Sequence, residues 1–536
     1  MELKKVLIGL EGLKAKGSLD VEINNLDSNS KNIKDGDMFI AIKGFSVDGH
    51  KYINDAIKAG AKVIMVEEGA DLKGVELPKD VTLIMAKDTR EALAICSCNF
   101  YGNPSKKFRL IGVTGTKGKT TTTFMIKSLL EAHGLKVGLM GSIAIYIGNE
   151  KLEDTDRTTP ESDEIQEYFA KMADANVDVA IIEVSSQAMK LHRVDGCDFD
   201  IGVFTNLTED HISKNEHASM EEYFDCKCML FDKCTIGFIN ADDKTVITIK
   251  DKNKTCKFKT FGIDNPADIR AEEETLKITP SCIDFVADID GKSEQFEVSI
   301  PGRFSVYNSL GAISVAHEFG VTPDEMRKAL KNLKVLGRNE LVPNKLGLTI
   351  LIDYAHTPSS LESILESVKA YAKGRIICAW GVGGDRDSKK RPIMGEISGR
   401  LADYTILMSD QVRTEDPLKI LQDIEVGVKK SGGKYTIIVD RTEGIKHALE
   451  VATPEDIIVI PGLGHDLYLE RNHVKYPYDE RKVIAKLVDE IIEENRELQV
   501  GSDTVVDELR EKNPDLLKAL YLLAFKEYAG FENLNS

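Results

Sequence analysis

The chain lacks any apolar run of membrane-spanning length. It also lacks a Cys-x-x-Cys pair: its nine cysteines are an odd number, and Cys96/Cys98 and Cys226/Cys228 are spaced as Cys-x-Cys. This spacing argues against a zinc site and for reduced thiols in a cytoplasmic protein. The opening stretch, Met1 to Asp20, has neither a signal-type apolar segment nor a small-residue cleavage site, so a cytoplasmic location without membrane insertion is expected. Positive charge is in deficit, with 70 Lys and Arg against 88 Asp and Glu and a net charge of −18. So acidic a surface argues against general nucleic-acid binding, yet a local basic pocket suffices for an anionic substrate. Sequence repeats and low-complexity segments are missing too.

What is present is a long chain of globular composition. Its 536 residues exceed one ordinary core, and three domains are expected. Residues 1–104 mix short strands (Asp37–Ile42, Ala61–Val66) with a helix between them (Tyr52–Ala59), a small α/β unit that ends at the turn Gly102-Asn103-Pro104-Ser105. Residues 105–336 alternate strands (Leu110–Val113, Val137–Met140, Val179–Val184, Ile201–Thr205) with helices. That alternation predicts a parallel sheet with ligands at the C-terminal strand ends. A small accessory sheet is expected from about 255 to 300. Residues 337–493 repeat the alternation in a Rossmann-like domain, with strands at Leu348–Asp353, Arg375–Trp380, Tyr404–Met408, Tyr435–Val439 and Asp456–Ile460. Residues 494–536 form a charged tail with one amphipathic helix, Leu516–Tyr528.

The segment Gly112 to Thr123, GVTGTKGKTTTT, carries the most chemistry. An apolar strand precedes it and a helical pattern, Thr120–His133, follows. Strand, glycine turn and helix together aim backbone N–H groups and a helix N-terminus at phosphate. Lys119 supplies a mobile positive charge, and Thr120 a hydroxyl able to ligate Mg²⁺. The strand Val179–Val184 finishes in Glu183, Ser185 and Ser186; a buried strand-end carboxylate needs a partner, and Mg²⁺ suits it. The next strand ends in Thr205-Asn206-Leu207-Thr208-Glu209-Asp210-His211. Alone, His211 reads as a satisfied loop histidine; beside Glu183 and the phosphate loop it joins a second, water-rich cation site. Lys227 falls in a helical pattern where a solvated face is the default; a carbamylated lysine there would present a carboxylate to a cation. Arg338 and Asp353 follow the domain junction, Arg338 with reach to a γ-phosphate and Asp353 suited to a ribose or a metal-bound water. Three loops end strands of the last domain: Gly381 to Pro392, with Arg391 suited to a substrate carboxylate; Asp410 to Arg413; and Pro461 to Asp466. Together they form a candidate pocket.

These motifs, in this order, resemble the Mur ligases, and among them the UDP-N-acetylmuramoyl-tripeptide synthetases. The resemblance covers residues 20–490 through Leu26-Asp27-Ser28, Asp48-Gly49-His50-Lys51, GTKGKTTT, Thr158-Thr159-Pro160, EVSS, TNLTEDH, Tyr307-Asn308, DYAHTP, GGDRDSKKRP and GLGHD. It implies an ATP- and Mg²⁺-dependent amide ligase of peptidoglycan precursor synthesis. In that reading Lys119 and the amides of Gly115, Thr116, Lys117, Gly118 and Thr121 hold the phosphates, Asn308 contacts adenine, Asp353 lies near the ribose and Arg338 near the γ-phosphate. Thr120 and Glu183 hold one Mg²⁺; His211 and carbamylated Lys227 serve another. Ser28 and His50 hold the uridine nucleotide, and Thr158, Thr159, Ser185 and Arg193 the sugar-peptide. The acceptor is UDP-MurNAc-L-Ala-D-Glu, activated as an acyl phosphate, and a free amino acid, expected to be a diamino acid, is the second substrate. Arg391, Asp410, Arg413, Gly462 and Asp466 receive it. A monomer is expected.

The sequence departs from the family pattern at several positions. Asp410-Gln411-Val412-Arg413 stands for D-N-P-R, and Gly462-Leu463-Gly464-His465-Asp466 for G-K-G-H-E. Asp27-Ser28-Asn29 replaces D-S-R, and Ser185-Ser186-Gln187 replaces S-S-H. Two alternatives stand beside the first reading: a related ligase with another acceptor or amino acid, folylpolyglutamate-like, and a non-catalytic nucleotide-binding subunit.

Overall fold

The structure, a computed structural model, describes residues 1–44, 47–155, 157–209, 212 and 216–494. The expected tail helix and His211 lie outside the described residues. The chain forms two compact units, Met1–Leu336 and a second beginning at Gly337.

The first unit contains two sheets. The smaller one has Met38–Ile40, Val63–Glu67 and Thr82–Ala86 side by side and parallel, with short strands at both edges. Asp88 starts the helix Thr89–Phe100 by accepting hydrogen bonds from the amides of Arg90 and Glu91, which satisfies two of the donors a helix start leaves bare.

The larger sheet is built on six parallel strands. Their spatial order is Lys257–Gly262, Cys234–Asn240, Phe199–Phe204, Arg109–Thr114, Val179–Glu183 and Val137–Met140. The apolar runs seen in the sequence are those of strands covered on both faces: Ile111, Val113, Ile181, Ile201 and Val203 face one core, and Leu110, Ala180, Ile182 and Phe204 the other. Strand order reverses around Arg109–Thr114, so the ends of the phosphate-loop strand and its two neighbours share one edge.

The separate accessory sheet expected near 255–300 is not formed. Lys257–Gly262 pairs with Cys234–Asn240, and Ile269–Ala271, Ile283–Ile289 and Lys292–Val298 extend the same sheet, which with Lys277–Ile278 on this side and Ala144–Ile147 and Glu150–Asp154 at the other edge has twelve strands among the described residues. The reason is physical: an uncovered edge leaves a row of unpaired amides and carbonyls, and the next strand takes them. Ile283, Phe285, Ala287 and Ile289 alternate inward, in one core with the helix Arg303–Glu318.

The second unit carries a six-stranded sheet ordered Glu340–Leu341, Thr349–Asp353, Ile457–Pro461, Ile376–Trp380, Tyr404–Leu407 and Tyr435–Ile437. Only the first pairing is antiparallel. A core lies on each face, Leu351, Cys378, Trp380 and Val459 in one and Ile350, Ile377, Ile406 and Ile460 in the other. A hairpin, Tyr468–Arg471 with Val474–Pro477, follows the last long strand. No described helix is long and apolar enough to cross a membrane.

Candidate active site

The phosphate loop sits where strand Arg109–Thr114 gives way to helix Lys119–Ala132. Two glycines make the turn. Gly115 has φ +144°, and a Cβ on it would lie 2.0 Å from Thr205 Oγ1. Gly118 has φ +83°, and its Cβ would lie 2.4 Å from Asn308 Oδ1. The next strand's end therefore presses on the loop from one side and Asn308 from another. Asn206 clasps it: its carbonyl accepts from Thr116 N at 2.8 Å and its Oδ1 accepts from Lys117 N at 3.0 Å. Thr205 Oγ1 donates to the Lys117 carbonyl at 2.6 Å. Lys119 Nζ folds back on the loop, donating to the carbonyls of Gly115 and Thr116 at 3.0 Å each.

Glu183, 1 % exposed, lies against this loop. Its Oε2 accepts from Thr120 Oγ1 at 3.0 Å and from Ser142 Oγ at 3.1 Å, and its Oε1 accepts from the Ser142 amide at 2.9 Å. Ser142 Oγ is also 3.0 Å from Thr158 Oγ1. The Glu183 carboxylate and the Thr120 and Ser142 hydroxyls are oxygen donors, the kind Mg²⁺ takes. Among the described residues no cluster of three or more His, Cys, Asp or Glu side chains is placed for a metal. Thr121 is buried in the first turn of the helix.

Lys227 departs from its expected solvated face. It is 1 % exposed; its Nζ donates to the Gly115 carbonyl at 2.8 Å and lies 4.3 Å from the Tyr223 ring centre. The helix Met220–Asp232 turns this face inward because Tyr223, Leu230 and Phe231 share it.

Beyond Glu183 lies a second polar group. Thr159 Oγ1 donates to the Glu183 carbonyl at 2.8 Å and accepts from Ser185 N at 3.1 Å. Arg193 donates to the Thr159 carbonyl at 3.0 Å and pairs with Glu161 at 2.9 Å. Arg90 and Arg157 reach the same carboxylate at 3.3 and 2.8 Å. The Ser28 amide donates to Asp163 Oδ2 at 3.0 Å, which ties the small sheet to the helix Ser162–Asp174. Burial, with the nearby Asp27 charge adding, pushes the Asp163 carboxyl up to about 7.

His50 does not present a ring nitrogen to an open site, contrary to expectation. Its Nδ1 is 2.7 Å from Asp48 Oδ1 and its Nε2 accepts from the Glu67 amide at 3.0 Å, so both nitrogens pin the loop to the strand Val63–Glu67.

In the second unit, Asp353 ends its strand and accepts from the Asn339 amide at 2.7 Å. Arg338 lies over the Tyr354 ring at 4.7 Å. Asp410, Arg413, Gly462 and Asp466 converge at the same sheet edge. Gly462, at φ +129°, leaves room for Asp410: a Cβ there would meet Asp410 Oδ2 at 2.4 Å. The buried Arg441 supports this floor, 3.7 Å from Asp410 and 2.7 Å from Glu480. Arg413, in the left-handed region at φ +51°, donates to the Gly384 carbonyl at 2.6 Å and pairs with Glu470 at 3.1 Å. Gln411 Nε2 donates to Asp466 Oδ2 at 2.7 Å. Burial raises the Asp466 carboxyl to about 6, against the Gln411 hydrogen bond.

Arg391 differs from expectation. Its side chain is 3 % exposed, with Glu415 at 2.7 Å and Asp423 at 2.9 Å. It ties its own helix, Lys390–Leu401, to the loop before Pro417–Ser431 through Glu415 and to that helix through Asp423.

Sequence reasoning missed Ser142, Asn206, Gln411's bond to Asp466 and Glu470. Ser142 had a signal: it follows the strand Val137–Met140, whose end lies beside Glu183. Glu470 had none, since only the hairpin brings it to Arg413.

Family profiles match three segments of the chain. Profiles described as Mur ligase family, catalytic domain, Mur ligase middle domain, and Mur ligase, glutamate ligase domain match residues 22–101, 113–316 and 337–464. A UDP-N-acetylmuramoyl-L-alanyl-D-glutamate–2,6-diaminopimelate ligase of Clostridium tetani is 43% identical, over 92% of this chain and all of that one. The ligase of the same name from Clostridium perfringens is 42% identical over 91% of this chain and all of its own. A solved structure of a ligase bearing that name superposes with TM-score 0.62 at 26% identity, covering 91% of this chain and 99% of that one.

Proposed function

The chain belongs to the Mur ligase family of ATP-dependent ligases, and from that premise we infer that it joins diaminopimelate to UDP-MurNAc-L-Ala-D-Glu in peptidoglycan precursor synthesis. The observation that carries the chemistry is the phosphate loop whose Thr120 hydroxyl meets the buried Glu183 carboxylate at 3.0 Å. The relatives' shared name supports the substrates.

The phosphates of ATP rest on the loop from Gly115 to Thr121, whose Thr116 and Lys117 amides Asn206 holds in place, and Lys119 exchanges its loop carbonyls for them. Asn308, held against Gly118, is near enough to the loop to border the nucleotide. Thr120 and Glu183 would hold Mg²⁺, and His211 with a carbamate on Lys227 would serve a second ion; a bound metal would supply charge neutralisation at the phosphates. Thr158, Thr159, Ser185 and Arg193 orient the sugar-peptide, and Ser28 the uridine nucleotide. By the family resemblance Asp353 serves the ribose and Arg338 the γ-phosphate.

A carboxylate oxygen of the acceptor attacks the γ-phosphorus, and the bond to ADP breaks. The resulting acyl phosphate keeps that oxygen between carbon and phosphorus. The amine of the amino acid attacks the acyl carbon, loses a proton and expels orthophosphate, leaving an amide. The protein's part is positioning and charge neutralisation. Arg413, Asp410, Gly462 and Asp466 hold the amino acid, and Arg391 acts only through the loop it braces. We take 1–104, 105–336 and 337–493 as uridine-nucleotide, ATP and amino-acid domains of a cytoplasmic monomer.

Oxygen-18 placed in the acceptor carboxyl should appear in orthophosphate when diaminopimelate is present. Unlabelled phosphate would overturn the acyl-phosphate route, and phosphate release that ignores diaminopimelate would overturn the substrate.

A further inference from the structure

One face of the helix Met220–Asp232 holds the phosphate loop at two neighbouring residues. Lys227 Nζ donates to the Gly115 carbonyl at 2.8 Å, and Tyr223 Oη donates to Thr116 Oγ1 at 3.1 Å. The two side chains stand four residues apart, neighbours on the helix surface, with 4.3 Å between Lys227 Nζ and the Tyr223 ring centre. Tyr223 is fully buried and Thr116 is 7 % exposed.

Thr116 Oγ1 is a junction. It accepts from the Thr208 amide at 3.0 Å as well as from Tyr223, and it donates to the Thr208 carbonyl at 3.2 Å. A hydroxyl has one hydrogen and two lone pairs, so all of its capacity is used. Three segments meet at this oxygen: the loop, the stretch after strand Phe199–Phe204, and the helix. The Tyr223 ring is held in turn. It lies 5.2 Å from the ring of buried His217, whose Nε2 is 2.9 Å from Ser186 Oγ, just past Glu183.

We propose that Tyr223 is a positioning residue for nucleotide binding: its hydroxyl fixes Thr116, and through Thr116 the shape of the loop on which the phosphates rest. This rests on the ligase reading above. The loop needs such a hold. Gly115 and Gly118 flank Thr116 and Lys117, both at positive φ, and glycine loses the most conformational freedom when it is ordered. A loose loop would be ordered only when ATP binds, at a cost in affinity; a loop already fixed avoids that cost. Asn206 and Thr205 hold the backbone from the strand side, and Tyr223 holds it from the helix side. In the ligase reading Lys227 carries a carbamate that serves a cation; the Tyr223 hydroxyl then keeps the helix on the loop.

The test uses the full chain and the variants Y223F, T116V and Y223F/T116V. ADP affinity is measured by titration calorimetry with MgCl₂ present, which needs no turnover. Phosphate release is measured with saturating UDP-MurNAc-dipeptide and diaminopimelate. Y223F keeps the ring and removes only the hydroxyl. It should weaken ADP binding and raise the KM for ATP, each about fivefold, with kcat within about twofold. On the T116V background the same change should alter ADP affinity by less than about twofold, because the hydroxyl's partner is gone. Equal losses on both backgrounds would overturn the proposal. A merely structural role would lower the thermal midpoint and the fraction of chain that binds, and leave the affinity of the folded fraction as it was; that result would overturn it too. If ADP binding shows the expected dependence on Tyr223 but the parent chain releases no phosphate from ATP, the ligase reading fails instead.

Discussion

The Lys119 ammonium rests on two carbonyls of its own turn and must leave them to meet phosphate. Removing one preorganised electrostatic contact of this kind costs on the order of a hundredfold to a thousandfold in turnover. Lys119→Ala should fall at least that far in ADP release, and unimpaired turnover would remove the phosphate-loop assignment. Gly118→Ala is a gentler probe. Its new methyl would need the place of Asn308 Oδ1, 2.4 Å away, in a left-handed backbone. The KM for ATP should rise by about tenfold or more; an unchanged KM would show that Asn308 gives way freely. Asp466 supplies a pH signature. Burial holds its carboxyl up at about 6, so it is neutral below that pH and cannot attract an ammonium. The kcat/KM for diaminopimelate should drop as pH falls through about 6. Asp466→Asn should lose that inflection, and a wild-type profile in the variant would place the titration elsewhere.

At the scale of elements, strands and their ends were largely legible. Val137–Met140 and Val179–Glu183 stand where continuous apolar runs met polar residues. Helix starts were equally readable where a capping residue sits before an amphipathic run. Thr322 accepts from the Glu325 amide while the Glu325 carboxylate accepts from the Thr322 amide, a reciprocal pair that begins the helix Pro323–Lys331. Thr322→Ala should lower unfolding stability by about 1 kcal/mol in denaturant titration. ATP turnover should persist, because the start of this helix meets the C-terminal end of Lys119–Ala132, at His133, and not the phosphate loop at its other end. The burial of Lys227 was not legible: the helical period shows a face but not which side a neighbouring loop will cover.

For the molecule as a whole, Asp163 links stability to pH. It joins the small sheet to the large one through Ser28, and burial raises its carboxyl to about 7. In the unfolded chain it ionises in the ordinary carboxylate range. Between that range and about 7 the folded form therefore holds a proton that the unfolded form has released. Stability contributed by this group is full at the acid end and is lost as pH rises through the window. Asp163→Asn keeps an oxygen for the Ser28 amide but cannot ionise. Its thermal midpoint should decline less between pH 5 and 8 than that of the parent chain, and equal declines would assign the effect to other groups.

The order of motifs along the chain determined the family, the phosphate loop and the strand-end positions of Glu183, Asp353, Asp410 and Asp466. These are local facts: a glycine's left-handed turn, a hydroxyl one step into a helix and a carboxylate closing an apolar run depend on neighbours in sequence. Which side chains then meet depends on packing between segments far apart. Only the tertiary structure set Ser142 on Glu183, turned His50 and Arg391 inward to braces, and laid Gln411 against Asp466. Such contacts are fixed by strand order and by hairpins that return distant residues to one edge, and no local pattern records them.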